Sequence, residues 1–248
     1  MERKEIERHI NNGAINYLNL LADAKHMNLV DDGFCTMIYP NEGEEGGTSI
    51  YNFRFEGMSD EEIARGIKQV KEKKIHTFWG CFLPKSVMDI LKMDDPKAGE
   101  DDDSEAYMAM LPDEKPEYDL PKPPITVKKV ESQQQFEIWT NISNEVLHDG
   151  YTIMHPENHY HLCEEGKLEC YIGFYDEKPV ATAAIMNDNG IASLEFVATL
   201  NNFRKKGLGG AVCRAAVDDA FKYGVKIITL RGFPLGQPVY KSMGFKRY

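Results

Sequence analysis

The stretch Phe196-Val-Ala-Thr-Leu-Asn-Asn-Phe-Arg-Lys-Lys-Gly-Leu-Gly-Gly-Ala-Val-Cys213 constrains this chain more than any other. Before it, Ile191 to Thr199 carries β-branched and aromatic residues without Pro or Gly, which predicts a strand. From Leu208, the apolar residues Ala211, Val212, Ala215, Ala220 and Phe221 recur at helical spacing, and Gly224 is placed as a C′ stop. Lys226 to Leu230 then predicts a buried strand. Between the first strand and the helix lies Arg204-x-x-Gly207-x-Gly209. The first-turn N–H groups of a helix have no internal partner, and the helix dipole favours negative charge there. Glycine lets a ligand approach the backbone closely. The segment therefore predicts a strand–loop–helix site for a phosphate-bearing ligand. The plainer alternative is that the glycines serve only a tight turn.

Two other phosphate loops fail on the residues. A Walker loop needs Gly-Lys-Ser/Thr, and here Gly209-Gly-Ala stands in its place. A dinucleotide fingerprint needs a strand-proximal glycine where Arg204 sits, and an acidic residue about twenty positions on that this chain lacks. What the segment does resemble is the GNAT acyltransferase superfamily, across residues 191 to 245. Arg204-Lys-Lys-Gly-Leu-Gly209 resembles its pyrophosphate loop. Phe196-Val-Ala-Thr199 resembles the splayed strand whose backbone receives the pantetheine arm, and Gly236-Gln-Pro-Val-Tyr240-Lys-Ser-Met-Gly244-Phe245 resembles its late tyrosine-bearing helix. The resemblance implies acetyl-CoA, or another acyl-CoA, as donor. It implies a GNAT fold of the α+β (α/β) class: a central mixed, mostly antiparallel sheet flanked by helices.

Composition narrows the partners. A net charge of −11 argues against nucleic acid. No apolar run reaches the length of a membrane span, and the N-terminus is charged. Cysteines 35, 81, 163, 170 and 213 form no metal-type pair, which suits reduced thiols in a cytoplasmic protein. Charge is uneven: after Asn201 stand ten Lys/Arg (204, 205, 206, 214, 222, 226, 231, 241, 246, 247) against Asp218 and Asp219. Acids gather instead at 42–45 and 100–105, where they read as solubility features.

Prolines 112, 116, 121, 123 and 124 are five of the chain's twelve and predict an extended linker. This places residues 125–248 as the catalytic domain and 1–124 as a smaller, degenerate GNAT-like domain. Downstream, Ile125 to Val130 predicts a strand. Ser132-x-x-Gln135 predicts a capping box opening a helix with Phe136, Trp139, Ile142 and Val146 inward. His155-Pro156 predicts a short helix, and Lys167–Phe174 and Pro179–Met186 predict a hairpin around Asp176-Glu-Lys. Upstream, a helix is expected over Asn11–Leu29, with strands over Phe34–Tyr39, Ile50–Phe55, Ile75–Phe82 and Ala106–Leu111. Helices are expected after the Ser59-x-x-Glu62 capping box and over Lys85–Met93. The chain stops three residues after Phe245, short of the family's closing strand, so the N-terminal half is expected to supply the missing edge.

The resemblance also assigns roles. Arg204, Lys205, Lys206, Gly207, Leu208, Gly209 and Gly210 would hold the pyrophosphate; Val197, Ala198 and Thr199 the pantetheine. Tyr240 would protonate the leaving thiolate, and Glu195, sharing a face with Val197 and Thr199 by strand alternation, would take the amine's proton. His148, His155, His159 and His161, with Tyr151 and Tyr160, are assigned to the acceptor wall. Pro156 between His155 and His159, and the lack of His-Glu-x-x-His, argue against a metal. The function expected is N-acetyl transfer from acetyl-CoA to a primary amine of a small molecule or peptide. The alternatives are a non-catalytic acyl-CoA-binding regulatory module and a longer-acyl transferase. Acceptor identity stays open, and so does assembly, with a homodimer among the options.

Overall fold

The computed structural model describes residues 1–22, 27–42, 49–72, 77–78, 89, 105–147 and 154–248. The chain divides into two compact units, one of Met1–Gly13 with Glu105–Tyr248 and one of Ala14–Ser104. In chain order the elements are α1 (Arg3–Ala22), β1 (Met27–Asp31), β2 (Thr36–Pro40), β3 (Ser49–Tyr51), α2 (Asp60–Glu72), β4 (Thr77–Phe78) and β5 (Ala106–Met110). There follow β6 (Ile125–Lys129), α3 (Gln133–Leu147), α4 (Pro156–His159), α5 (His161–Glu164), β7 (Leu168–Tyr175), β8 (Lys178–Asp188) and β9 (Ile191–Thr199). The chain closes with α6 (Leu208–Lys222), β10 (Ile227–Gly232), α7 (Gln237–Ser242) and β11 (Lys246–Arg247).

The larger unit is built on a seven-stranded sheet of order β11-β5-β10-β9-β8-β7-β6. Only the β9–β10 pair is parallel. The β7–β8 hairpin turns through Asp176 and Glu177, both at positive φ (46° and 64°), the conformation that matches a two-residue turn to strand twist. Helix α6 buries Val212, Cys213, Ala216 and Val217 against Ala181, Ala183, Ile185 and Leu194. Gly173 permits this close approach, since a Cβ there would lie 2.7 Å from Val212 Cγ1. Helix α3 opens as expected: Gln135 N–H donates to Ser132 Oγ (3.3 Å), and Gln135 Oε1 accepts from Glu131 N–H (2.7 Å). Its Phe136 and Trp139 are fully buried, and burying a side chain such as phenylalanine is worth about 1.5–3 kcal/mol.

Strand β5 changes the organisation read from the sequence. It pairs antiparallel with β10 on one side and with β11 on the other. The upstream segment therefore fills an interior slot, and Lys246–Arg247 forms the edge. The proline-rich stretch lies inside the larger unit, between β5 and β6, rather than between the units. Tyr118 anchors it by donating to Met243 O (2.7 Å), and Lys115 pairs with Asp218 (2.6 Å).

The smaller unit has a four-stranded sheet of order β1-β2-β3-β4, parallel only between β3 and β4. Its core joins Cys35, Met37 and Ile50 in one cluster and Leu18, Ile38 and Tyr51 in another. Gly66 on α2 is required by Phe34, whose ring lies 2.6 Å from where a Cβ would stand. The Ser59 capping box forms, Glu62 accepting from Ser59 N–H (2.8 Å) and Glu62 N–H donating to Ser59 Oγ (3.4 Å). The first helix differs from expectation. It begins at Arg3, where Ile6 and Ile10 continue the buried stripe, and Met27–Asp31 is a strand because it pairs with β2 in full register. The third strand is shorter than expected, ending where Asn52 turns at φ 54°. Most of the strand expected over Ile75–Phe82, the helix expected over Lys85–Met93 and the acidic clusters up to Ser104 fall outside the described residues.

Candidate active site

The site begins where two parallel strands part. Strands β9 and β10 pair only through Ile191–Ser193 and Ile227–Thr229. From Leu194 onward β9 keeps its ladder with β8 and, among the described residues, has none with β10. A bulge marks the divergence: Glu195 faces Ala184 and Ala198 faces Thr182, so Phe196 and Val197 together oppose Ala183. Phe196 takes φ 52°, a costly conformation for an aromatic residue. It is held by Thr182 Oγ1, which donates to its carbonyl (2.9 Å), and by the Trp139 ring edge-on at 5.1 Å. Trp139 is itself fixed, its Nε1–H donating to Ala183 O (3.1 Å).

The bulge corrects one expectation. Leu194 belongs to the core cluster under α6 and Val197 packs against that same cluster, so simple alternation does not cross the bulge. Glu195, next to Leu194, lies on the opposite face from Val197 and from Thr199, whose Oγ1 would be 3.5 Å from a Cβ on Gly209. Residue alternation in the sequence does not show this, because the bulge is set by the pairing with β8.

At the end of β9 the chain makes a short 3-10 turn over Asn201–Phe203 and enters the glycine loop. Arg204 Nε donates back to Thr199 O (3.2 Å), while the side chains of Arg204, Lys205 and Lys206 stay exposed. Lys205 has φ 60° and Gly207 φ 87°, so the loop turns through two left-handed residues into α6. The first helical hydrogen bond is Ala211 N–H to Gly207 O (3.0 Å). The N–H groups of Leu208, Gly209 and Gly210 thus precede any intrahelical acceptor, and Gly207 at the N-cap has no side chain to cap them. Lys206 Nζ sits 4.7 Å over the Tyr175 ring and 5.0 Å over Phe203. Three first-turn N–H groups without an intrahelical partner thus stand beside three exposed cations, an arrangement that favours an anion.

Tyr240 on α7 is buried in the same cluster as Leu208, Val212 and Cys213 of α6, with its ring against Gly232 and Gly236. A Cβ on Gly236 would lie 2.8 Å from that ring, so glycine is required for the tyrosine to sit there. Burial first, then the neighbouring Cys213 and Glu195, push the phenol well above its ordinary range and keep it protonated. Glu195 moves the other way in function: burial pushes its carboxyl up from an ordinary 4.5 to about 7, opposed by the Arg231 guanidinium and by a hydrogen bond from Ser193, and reinforced by Glu105. Arg231 and Glu105 were not singled out from the sequence. Their strands were foreseen, but not that β5 and β10 lie side by side.

The histidine segment is partly described. Asn144 ties α3 to it, donating to Met154 O (3.0 Å) and accepting from Met154 N–H (3.1 Å). His159 is buried, with Nδ1 2.9 Å from the His155 backbone nitrogen, and the two rings lie 6.1 Å apart. His148 and Tyr151 lie outside the described residues. No group of three His, Cys, Asp or Glu side chains among the described residues could hold a metal, and no described helix is long and apolar enough to cross a membrane.

A bulged strand thus parts from its parallel neighbour, a glycine loop opens a helix beside it, and a buried tyrosine packs in that helix's cluster. Residues 134–245 match the model of the Acetyltransferase (GNAT) family. This domain is an acetyltransferase (GNAT) domain, and it spans less than half of the chain. A GCN5-related N-acetyltransferase from Kribbella flavida has the same fold over nearly the whole length, at 16% identity and a TM-score of 0.64, covering 95% of this chain and 91% of that one. Shorter likenesses include a predicted acetyltransferase with acetyl-CoA from Clostridium acetobutylicum (19% identity, TM-score 0.41, 49% of this chain and 90% of that one). Another is glucosamine-6-phosphate N-acetyltransferase from Arabidopsis thaliana (18%, 0.39, 48% and 90%). No curated protein matches the sequence.

Proposed function

We propose that this protein transfers an acetyl group from acetyl-CoA to a primary amine by direct attack within a ternary complex. The observation that carries the reading is the wedge between β9 and β10, with the uncapped start of α6 and the buried Tyr240 in one cluster on one face of the sheet and Glu195 on the other. The N–H groups at Leu208, Gly209 and Gly210, with Arg204, Lys205 and Lys206, bind the pyrophosphate. The open edge at Val197, Ala198 and Thr199 binds the pantetheine and offers an N–H to the thioester carbonyl. The amine nitrogen then forms a bond to the carbonyl carbon, and Glu195 accepts the proton the nitrogen sheds. As the tetrahedral species collapses, the carbon–sulfur bond breaks, and Tyr240 O–H supplies a proton to the thiolate. A base near 7 is charged for part of the time at neutral pH, which suits it to deprotonate an amine there.

Residues 125–248 are the catalytic part in this reading. We also assign the upstream part to a degenerate GNAT-like half; a comparison of its four-stranded sheet alone that finds no GNAT counterpart would remove that assignment. The first experiment is calorimetric titration with acetyl-CoA, beside a double variant Arg204→Glu, Gly207→Asp. Micromolar binding that disappears in the folded variant supports the donor site. Absence of binding by the folded wild-type protein overturns it.

A further inference from the structure

On the face of the sheet that carries Glu195, two charged groups stand on the far side of the wedge, Arg231 on β10 and Glu105 just before β5, with the Tyr107 phenol in register with Arg231. Arg231 lies on β10 two residues beyond Thr229, the last residue in register with β9 at Ser193, which sets it level with Glu195 across the opening. Strand β5 pairs Tyr107 with Arg231 and Ala106 with Gly232, so Glu105 enters just beyond the end of β10. Its carboxylate is 3.9 Å from the Arg231 guanidinium. Arg231 is 10% exposed and Glu105 26%, so the pair is drawn largely out of water. Such a pair is not a surface decoration, because the low-dielectric surroundings strengthen what each charge does to a neighbour.

We propose that Arg231 and Glu105 are positioning residues for Glu195: Arg231, shared between two carboxylates, holds Glu195 at the open edge of β9, and β5 is the element that completes this acceptor side of the cleft. One cation between two carboxylates leaves a surplus negative charge, so the trio favours keeping one proton. The Glu105 carboxyl, like that of Glu195, is pushed up by burial and drawn down by Arg231. Other elements around Glu195 bring little charge. Ser193 on its own strand contributes a hydroxyl, and Tyr240 on α7 a protonated phenol. The first half of α1 meets Ser193 through Gly13, with His9 one turn back beside Glu5 (3.9 Å). The buried face of α3 is Phe136, Trp139, Thr140, Ile142, Ser143 and Asn144, none of them charged. Glu105 stands outside residues 134–245, the span shared with the family, so this chain recruits it from upstream.

This inference rests on the reading of Glu195 as the base, and the test separates the two. The Glu195 carboxyl is followed by NMR across pH in the full chain carrying labelled glutamate, assigned with Glu195→Gln. In Glu105→Gln the midpoint is expected to fall, and in Arg231→Met to rise, each by about one pH unit. Arg231→Lys should restore the wild-type midpoint. Opposite shifts in two folded variants are not produced by general loosening of the sheet. An unmoved midpoint in both, or shifts of the same sign, overturns the proposal. Should Arg231→Met not fold, Glu105→Gln alone decides, since an unmoved midpoint there already excludes the coupling. With an acceptor in hand, a pH–rate profile that tracks these midpoints supports both readings. Midpoints that shift while the profile stays still uphold the positioning role and remove Glu195 as the base.

Discussion

The two ends of α6 are built to opposite specifications. At its C-terminus Gly224 takes φ 87°, its N–H donates to Phe221 O (3.0 Å), and Val225 N–H reaches back to Ala220 O (3.1 Å). Both orphan carbonyls that this closure can serve are served. At its N-terminus Gly207 takes the same φ of 87°, yet the cap carries no side chain and the first three N–H groups point out of the helix. One end is finished and the other is left open. With glycine at the N-cap the open end forgoes only about a few tenths of a kcal/mol relative to Ser, Asp or Asn. Binding an anion is what the omission makes possible. Strand β9 repeats the contrast along its length: paired on both sides up to Ser193, paired on one side beyond.

The sharpest way to break this comparison is to fill the open end. Arg204→Glu with Gly207→Asp puts two negative charges where the pyrophosphate is proposed to sit, each loss of a charge-assisted contact costing about 1.5–3 kcal/mol. Acetyl-CoA affinity is expected to drop by at least about a hundredfold. Aspartate at φ 87° carries about 1 kcal/mol of strain, so the melting temperature should fall by only about 2–4 °C. A variant that loses stability instead, with affinity intact, would show that the loop is structural.

Next in size is Tyr240→Phe. Removing the proposed proton donor is expected to lower kcat by about a hundredfold or more, with KM for acetyl-CoA nearly unchanged. The hydroxyl is the only group removed, so packing against Gly232 and Gly236 survives, and a matched loss in binding would count against the assignment.

The pH dependence follows from Glu195. Its carboxyl titrates near 7 in the folded chain against an ordinary 4.5. As a base it must be deprotonated, so kcat/KM should rise as pH climbs through about 7, and Glu195→Gln should flatten that limb. Stability runs the other way. Between 4.5 and about 7 the folded state binds the proton more tightly than the unfolded state, so this group's contribution is fully present below 4.5 and lost as pH rises through 7. Glu195→Gln should therefore gain on the wild type in denaturant melts at pH 8 and show no such gain at pH 4.

How much of this was legible in the sequence follows the same division between closed and open. The finished features are local and were readable: the Gly224 stop, both capping boxes, the β7–β8 turn and strand β9, whose bounds agree with expectation. The loop was readable too, because glycine spacing and a basic run are written in consecutive residues. What escaped is non-local. Nothing in Ala106–Met110 says that it pairs with β10 some 120 residues later, so by sequence Glu105 reads as part of a solvating acidic loop. The bulge at Phe196 depends on Trp139 and Thr182, and without it alternation misplaces Glu195. Met27–Asp31 reads as the tail of a helix until β2 is beside it.

The smallest predicted effect is also the cleanest control. Gly207 and Gly224 share φ 87°, and a Cβ at either meets no heavy atom closer than Ile125 Cδ1, 3.9 Å from Gly207. Alanine at each position therefore introduces conformational strain and no clash, about 1 kcal/mol by the cost of placing an L-residue in the left-handed region. Chemical melts of Gly207→Ala and Gly224→Ala should show nearly equal losses of stability. Acetyl-CoA titration should separate them: unchanged affinity for Gly224→Ala, weakened affinity for Gly207→Ala, where any relaxation of φ re-aims the N–H groups of the first turn. Equal affinities in the two variants would mean that the open end of α6 is no more tuned to its ligand than the closed one.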